Sequence, residues 1–168
     1  GDPREAEAWF LLGQARMSAG DYAGAVEAYR QYQKLRGDVV AAYVNQRIGY
    51  ALRADKKPQD AIEAYRAALA APSTIALDLR EKLAGAYADA NDLSSALAQY
   101  DAILSVAQIT SYRLRIQTLA VQALDAAGQT KQAHQRRLSS VDEYATVAAN
   151  QLSCPNDSTD AYNALLAL

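Results

Sequence analysis

Cysteine, histidine, tryptophan, phenylalanine and methionine each occur once in these 168 residues. A single thiol, Cys154, excludes an internal disulfide and any multi-cysteine zinc site. Within Ser153-Cys154-Pro155-Asn156-Asp157 it reads as an incidental loop residue, with a reactive or redox role as the alternative. The single imidazole, His134, sits among Gln132, Gln135, Arg136 and Arg137 with no second ligand or nucleophile near it in sequence, so it reads as an ordinary surface or partly packed side chain. Neither Gly-x-x-x-x-Gly-Lys nor Gly-x-Gly-x-x-Gly occurs, which removes the usual phosphate cradles. Glu5 with Glu7, and Asp89 with Asp92, read as solvated faces and helix caps rather than acid/base pairs. No enzyme, metal or cofactor is therefore expected.

Other absences narrow the class further. Val, Ile and Thr are sparse and seldom alternate, against a sheet. No apolar run approaches the roughly 18 residues that span a bilayer. There is no excess of positive charge: 17 Lys and Arg stand against 19 Asp and Glu, a formal net charge of −2. Neither nucleic acid nor membrane insertion is expected of such a chain. Lys131, Arg136 and Arg137 form a short basic patch that reads as a solvated face or a contact for an acidic partner. The opening Gly1-Asp2-Pro3-Arg4 has no basic or apolar leader signature, and the chain reads as a piece of a longer protein that lacks its native N-terminus. The compartment stays open between cytoplasm and bacterial cell envelope.

What is present is alanine, hydrophobicity and repetition. Hydrophobic residues make up 51% and charged ones 21%, ample for a packed core. Alanine dominates, which suits closely packed helices. Ala25-Val26-Glu27-Ala28-Tyr29-Arg30 recurs as Ala61-Ile62-Glu63-Ala64-Tyr65-Arg66, more loosely as Ala96-Leu97-Ala98-Gln99-Tyr100-Asp101, and faintly as Ala133-His134-Gln135-Arg136-Arg137-Leu138. The leading alanines are 36, 35 and 37 residues apart. Upstream of the first three lie Trp9-Phe10-Leu11-Leu12-Gly13, Asn45-Gln46-Arg47-Ile48-Gly49 and Arg80-Glu81-Lys82-Leu83-Ala84. Each pair of segments is separated by a turn rich in Gly, Asn, Asp or Pro, beginning with Ala19-Gly20-Asp21-Tyr22. Such spacing predicts paired helices at about 4–19, 22–36, 39–54, 59–71, 74–90, 93–107, 111–127 and 130–150, with another at 158–168. Asp38, Ser73, Thr110 and Ser158 are candidate N-caps.

Trp9, Leu12, Gly13, Gly20, Ala25 and Tyr29 carry a resemblance to the tetratricopeptide repeat, a helix–turn–helix unit of about 34 residues. Gly49, Ala61 and Tyr65 continue it, then Leu83, Tyr87, Ala96 and Tyr100. The fourth unit departs, with Val121 at the small position and Arg137 at the aromatic one. The resemblance implies an all-α, right-handed superhelical solenoid of antiparallel helix pairs. Its expected repeats lie at about 6–39, 42–75, 77–110 and 114–147, closed by the helix at 158–168, all in a single domain. Glycines and alanines are expected where paired helices cross, and Tyr29, Tyr65 and Tyr100 between successive units.

The resemblance also implies function: a non-catalytic scaffold whose concave groove, lined by the first helix of each unit, binds a protein or peptide. Helical spacing selects Phe10, Gln14 and Met17 from the first unit, with Glu7 beside them, and Tyr43, Gln46, Arg47, Tyr50 and Arg53 from the second. The third offers Lys82 with Asp78, Glu81, Gly85 and Asp89, and the fourth Arg115, Thr118 and Gln122. Tyr43, Arg47 and Tyr50 share one stripe and belong to the residue types that dominate binding hot spots, although Tyr43 or Tyr50 could instead pack between helices. Co-chaperone domains of this family hold a C-terminal carboxylate with Lys, Asn and Arg; here Phe10, Gln14, Arg47, Asp78 and Lys82 stand at those places, and Asp78 would repel it. A second reading is the non-catalytic helical superstructure of a larger cell-envelope enzyme, since Asp160-Ala161-Tyr162-Asn163-Ala164-Leu165-Leu166 is similar to helices preceding the catalytic domain of lytic transglycosylases. Self-association through an exposed terminal repeat is a third.

Overall fold

The computed structural model describes residues 3–36 and 40–149. Among them are eight α-helices and no strand: α1 Pro3–Ser18, α2 Tyr22–Leu35, α3 Ala41–Ala54, α4 Pro58–Ala70, α5 Ala76–Asp89, α6 Leu93–Leu104, α7 Thr110–Ala126 and α8 Thr130–Ala149. The expected pairing of helices is therefore observed. Asp38, Ser158, Cys154 and the expected helix at 158–168 lie outside the described residues. The chain divides into two units, Gly1–Ala90 and Asn91–Leu168, and the divide falls in the turn between α5 and α6, inside the third expected repeat.

In the first unit α1 packs on α2, α2 on α3, α3 on α4 and α4 on α5. The turns explain the reversals. A left-handed residue recurs at Gly20 (φ 78°), Lys56 (φ 60°), Asn91 (φ 60°) and Gly128 (φ 71°). Around it the chain closes on itself: the amide of Asp21 donates to the Arg16 carbonyl (2.9 Å), Lys57 to Leu52 (2.9 Å) and Gln129 to Leu124 (2.8 Å). These bonds satisfy carbonyls that a helix end leaves open. The next helix then starts at once. Asp21 accepts from the Gly24 amide and Asp92 from the Ser95 amide, while Pro58 occupies the first turn of α4.

The caps thus lie in the turns inside the repeats, not where Ser73 and Thr110 predict them. The residues preceding α5 and α7 are Ile75 and Ile109, neither with a side-chain cap bond, and Thr110 is buried. Lys56 occupies the left-handed position that glycine fills at Gly20 and Gly128, a conformation costly for a residue with a Cβ. Lys56→Gly is expected to raise stability by about 0.5–1 kcal/mol, after allowing for the greater freedom of glycine in the unfolded chain. A thermal midpoint that falls would contradict this.

Glycine meets tyrosine inside each of the first two hairpins. A Cβ placed on Gly13 would lie 2.6 Å from Cε1 of Tyr29, and one on Gly49 2.7 Å from Cε1 of Tyr65. Both rings are buried, at 0% and 1% exposure. Each ring thus seats on the glycine of its own hairpin, sixteen residues earlier, a contact additional to the expected place between units.

In the second unit α6 packs on α7 and α7 on α8. Val121 and Leu124 of α7 join Ala133 of α8, with Leu93 and Leu97 of α6 against them. The exception in the fourth repeat now has a physical form. Val121 brings branched bulk into the core, and Arg137, standing at the ring position, turns to an ion pair with Asp125. Arg113 ties the α6–α7 turn to its helix by donating to the carbonyls of Leu104 and Ala107 and pairing with Glu143.

Candidate functional site

The first helices of the first unit's hairpins, α1 and α3, and the adjoining α5 carry most of the expected groove residues. Phe10 of α1 is ringed by aromatics: its centroid lies 5.7 Å from Tyr29, 5.4 Å from Tyr32 and 6.1 Å from Tyr43. Tyr43 in turn carries Arg47, one helical turn on, whose guanidinium carbon sits 4.8 Å from the ring centroid and which donates to the Tyr43 hydroxyl. Tyr50, the next residue on that stripe, is 55% exposed. Tyr43 therefore packs, and Tyr50 points to solvent.

Farther along, α3 is cross-linked to α5. Gln46 donates to Asp78, and Arg53 pairs with Asp89. Lys82 pairs with Asp78 at 3.1 Å within α5. Gly85 makes the Arg53 contact possible, since a Cβ there would come within 2.8 Å of the guanidinium. Gln14 and Met17 are half-buried on α1, and the Gln14 carbonyl accepts from Ser18.

Not every expected residue lines an open surface. Thr118 is buried at 8% exposure and donates to the Leu114 carbonyl, so it is removed from any groove. Gln122 is exposed, and so is Arg115, whose guanidinium lies 5.1 Å from the Tyr112 ring centroid. Both belong to the second unit. Of the basic patch, Arg136 is engaged by Gln117 (2.6 Å) and Asp101 (2.5 Å) and Arg137 by Asp125, leaving Lys131 as the exposed member.

Three lining residues escaped the repeat pattern. An apolar cleft of about 500 Å³ is bounded by Glu7, Phe10, Leu11, Tyr32, Val40 and Tyr43. Leu11 and Val40 leave it 62% and 54% exposed. Tyr32 is on a second helix of a pair, and Val40 adopts a left-handed φ of 49° just before α3. The one sequence signal for the cleft was the apolar Leu11 at the wall position that Arg47 and Lys82 fill with charge in later repeats.

The seated tyrosine hydroxyls reach towards this wall. Burial pushes the Tyr29 phenol above its ordinary value of 10.0, against the lowering influence of Arg47, with Tyr43 raising it further. Burial pushes Tyr65 to about 12, opposed by Arg53 and reinforced by Asp78, Tyr50 and Asp89. Among the described residues the Tyr29 hydroxyl has no hydrogen-bond partner. Tyr29→Phe is therefore expected to leave stability unchanged or raise it by up to about 1 kcal/mol, because a buried unpaired hydroxyl costs more than its removal. Urea unfolding of the variant checks this; a loss above about 1 kcal/mol would mean that the hydroxyl is paired.

Among the described residues no three His, Cys, Asp or Glu side chains gather as metal ligands, and His134 is exposed. No described helix is long and apolar enough to cross a membrane.

Comparison with solved structures gives the same architecture. A crystal structure of MamA superposes with a TM-score of 0.67 at 22% identity, covering 88% of this chain and 83% of that one. A putative kinesin light chain from Podosopora anserina, with nearly identical TPR-like repeats, gives 0.65 at 18% identity, covering 96% and 85%. A TPR repeats protein from Bacteroides fragilis gives 0.57 at 15%, covering 96% and 84%. At these identities the likeness is one of fold, a solenoid of helix pairs. No curated protein sequence matches. The family model described as Tetratricopeptide repeat matches residues 1–39 and 47–113, more than half of the sequence. With its glycine-seated tyrosines and left-handed turns at the repeat period, the chain belongs to the tetratricopeptide-repeat family.

Proposed function

We propose that the protein is a non-catalytic scaffold that holds a segment of another protein along the wall made by α1, α3 and α5. Folds of this family commonly serve as protein–protein interaction scaffolds. The observation that carries the finer reading is Tyr50. A tyrosine 55% exposed on a helix whose neighbouring faces are well packed contributes little to the core. Beside it stand Arg47 and the Phe10–Tyr43 aromatic cluster, so large rigid side chains and a guanidinium occur together. Such side chains bind with little loss of rotamer freedom. The residues proposed to contact the partner are Phe10, Gln14, Met17, Tyr43, Gln46, Arg47, Tyr50, Arg53 and Lys82.

A photo-crosslinking residue at position 50, compared with one at exposed Glu63 of α4, tests this in cells that make the protein. A discrete protein adduct is expected at position 50 and not at 63. The Tyr50→Ala/Arg47→Ala double variant should lose at least about tenfold in affinity for that partner with helicity unchanged, as for a central aromatic and arginine pair. Equal crosslinking at both positions, or undiminished affinity, would refute the assignment.

A further inference from the structure

The geometry points to a partner segment in which an apolar side chain fills the cleft between Phe10, Leu11, Val40 and Tyr43 while an Asp or Glu side chain within two positions of it meets Arg47. This deepens the proposed function and rests on it.

Charge complementarity selects the acid. Three cations face this wall, and two are already matched: Arg53 by Asp89 and Lys82 by Asp78. Arg47 differs. Its contacts are the ring and hydroxyl of Tyr43, and among the described residues no carboxylate lies within ion-pair distance of it. Arg47 spends a donor on the Tyr43 hydroxyl beside that ring and keeps others for a planar carboxylate. Asp78, which from sequence alone should repel an acid, is engaged by both Lys82 and Gln46.

The cleft selects the apolar neighbour. Tyr43 is shared: it lines the cleft and also carries Arg47, so an occupant of the cleft lies one ring away from the cation. Of the cleft's lining side chains, only Glu7 is charged, and it disfavours a second acid there. A continuous segment fits better than a chain end. The wall runs on from Arg47 to exposed Tyr50, which a peptide terminating at Arg47 would leave uncovered.

Selection of a displayed random twelve-residue library on the full chain tests this, since displayed peptides continue past the insert and carry only side-chain acids. The expected result is enrichment of an aliphatic or aromatic residue within two positions of Asp or Glu. Changing that acid to its amide in the synthetic peptide should weaken binding about tenfold, the scale of one charge-assisted contact. In Arg47→Gln the acid and amide peptides should bind equally, and Leu11→Ser should weaken both alike. Enriched peptides that compete with one another at Tyr50 yet show no acid preference, or keep it in Arg47→Gln, overturn the partner chemistry and leave the wall intact. Dependence on a free C-terminal carboxylate in synthetic peptides overturns the continuous-segment assignment. Selection of nothing, or of peptides indifferent to Tyr50→Ala, overturns the wall reading with it.

Discussion

Tyr65→Ala is expected to destabilise the protein by about 3–5 kcal/mol, the range for deleting a large buried aromatic. The ring is 1% exposed and lies against Gly49 with no room to spare, so neighbouring helices cannot collapse into the space without shifting backbone. Denaturant unfolding followed by far-ultraviolet circular dichroism measures the loss, and a value under about 1 kcal/mol would show that the ring is not a keystone of its hairpin. Tyr65→Phe separates the ring from its hydroxyl. In the folded state burial raises the phenol to about 12 against an ordinary 10.0, so the neutral form is the one favoured. Its contribution is complete below about pH 10 and disappears as pH rises through 12, amounting to about 2–3 kcal/mol. The Phe variant should keep most of the neutral-pH stability and lose less than the parent between pH 10 and 12.

Gly49→Val presses on the same contact from the other side. A Cβ at that position would meet Tyr65 at 2.7 and 2.8 Å, and the ring is buried. Overpacking of this kind costs about 1–3 kcal/mol, while the better helix propensity of valine returns only a few tenths. The two sites should couple: adding Tyr65→Leu to Gly49→Val is expected to recover at least about 1 kcal/mol beyond additivity. Strict additivity would mean that glycine and ring do not share a space. The fourth hairpin is a natural precedent, with Val121 buried where earlier repeats are small and Arg137 at the surface where they carry a ring.

The architecture was legible because its rules are local and periodic. A small residue sixteen positions before tyrosine (Gly13, Gly49 and Ala84) marks the first three hairpins, and a turn residue at every thirty-fifth to thirty-seventh position marks all four. The reading failed at two cap candidates and at one groove position. Ser73 and Thr110 look like caps, but α5 and α7 follow Ile75 and Ile109, neither of which makes a side-chain cap bond. Thr118 falls on the stripe expected to face the groove and is buried nonetheless. The candidate wall was legible in part. Spacing put Phe10 on α1 and Tyr43, Arg47 and Tyr50 on α3, yet it could not say which cation would find an acid. That depends on contacts across helices: Arg53 reaches Asp89 and Lys82 holds Asp78, while Arg47 settles on a ring. The contributions of Tyr32 and Val40 to the cleft lie outside the repeat pattern altogether.

Gly85 gives that electrostatic pattern an unusual handle. The atoms a methyl group would strike there are the far end of a long, pliant side chain, the Arg53 guanidinium, so the helices themselves need not move. One carbon atom added at this position would swing a cation away from Asp89 and into solvent. The surface would then offer different charges to a visitor while the inventory of charged residues stayed the same. The charge pattern of this wall can thus be rewritten through a position that carries neither charge nor side chain.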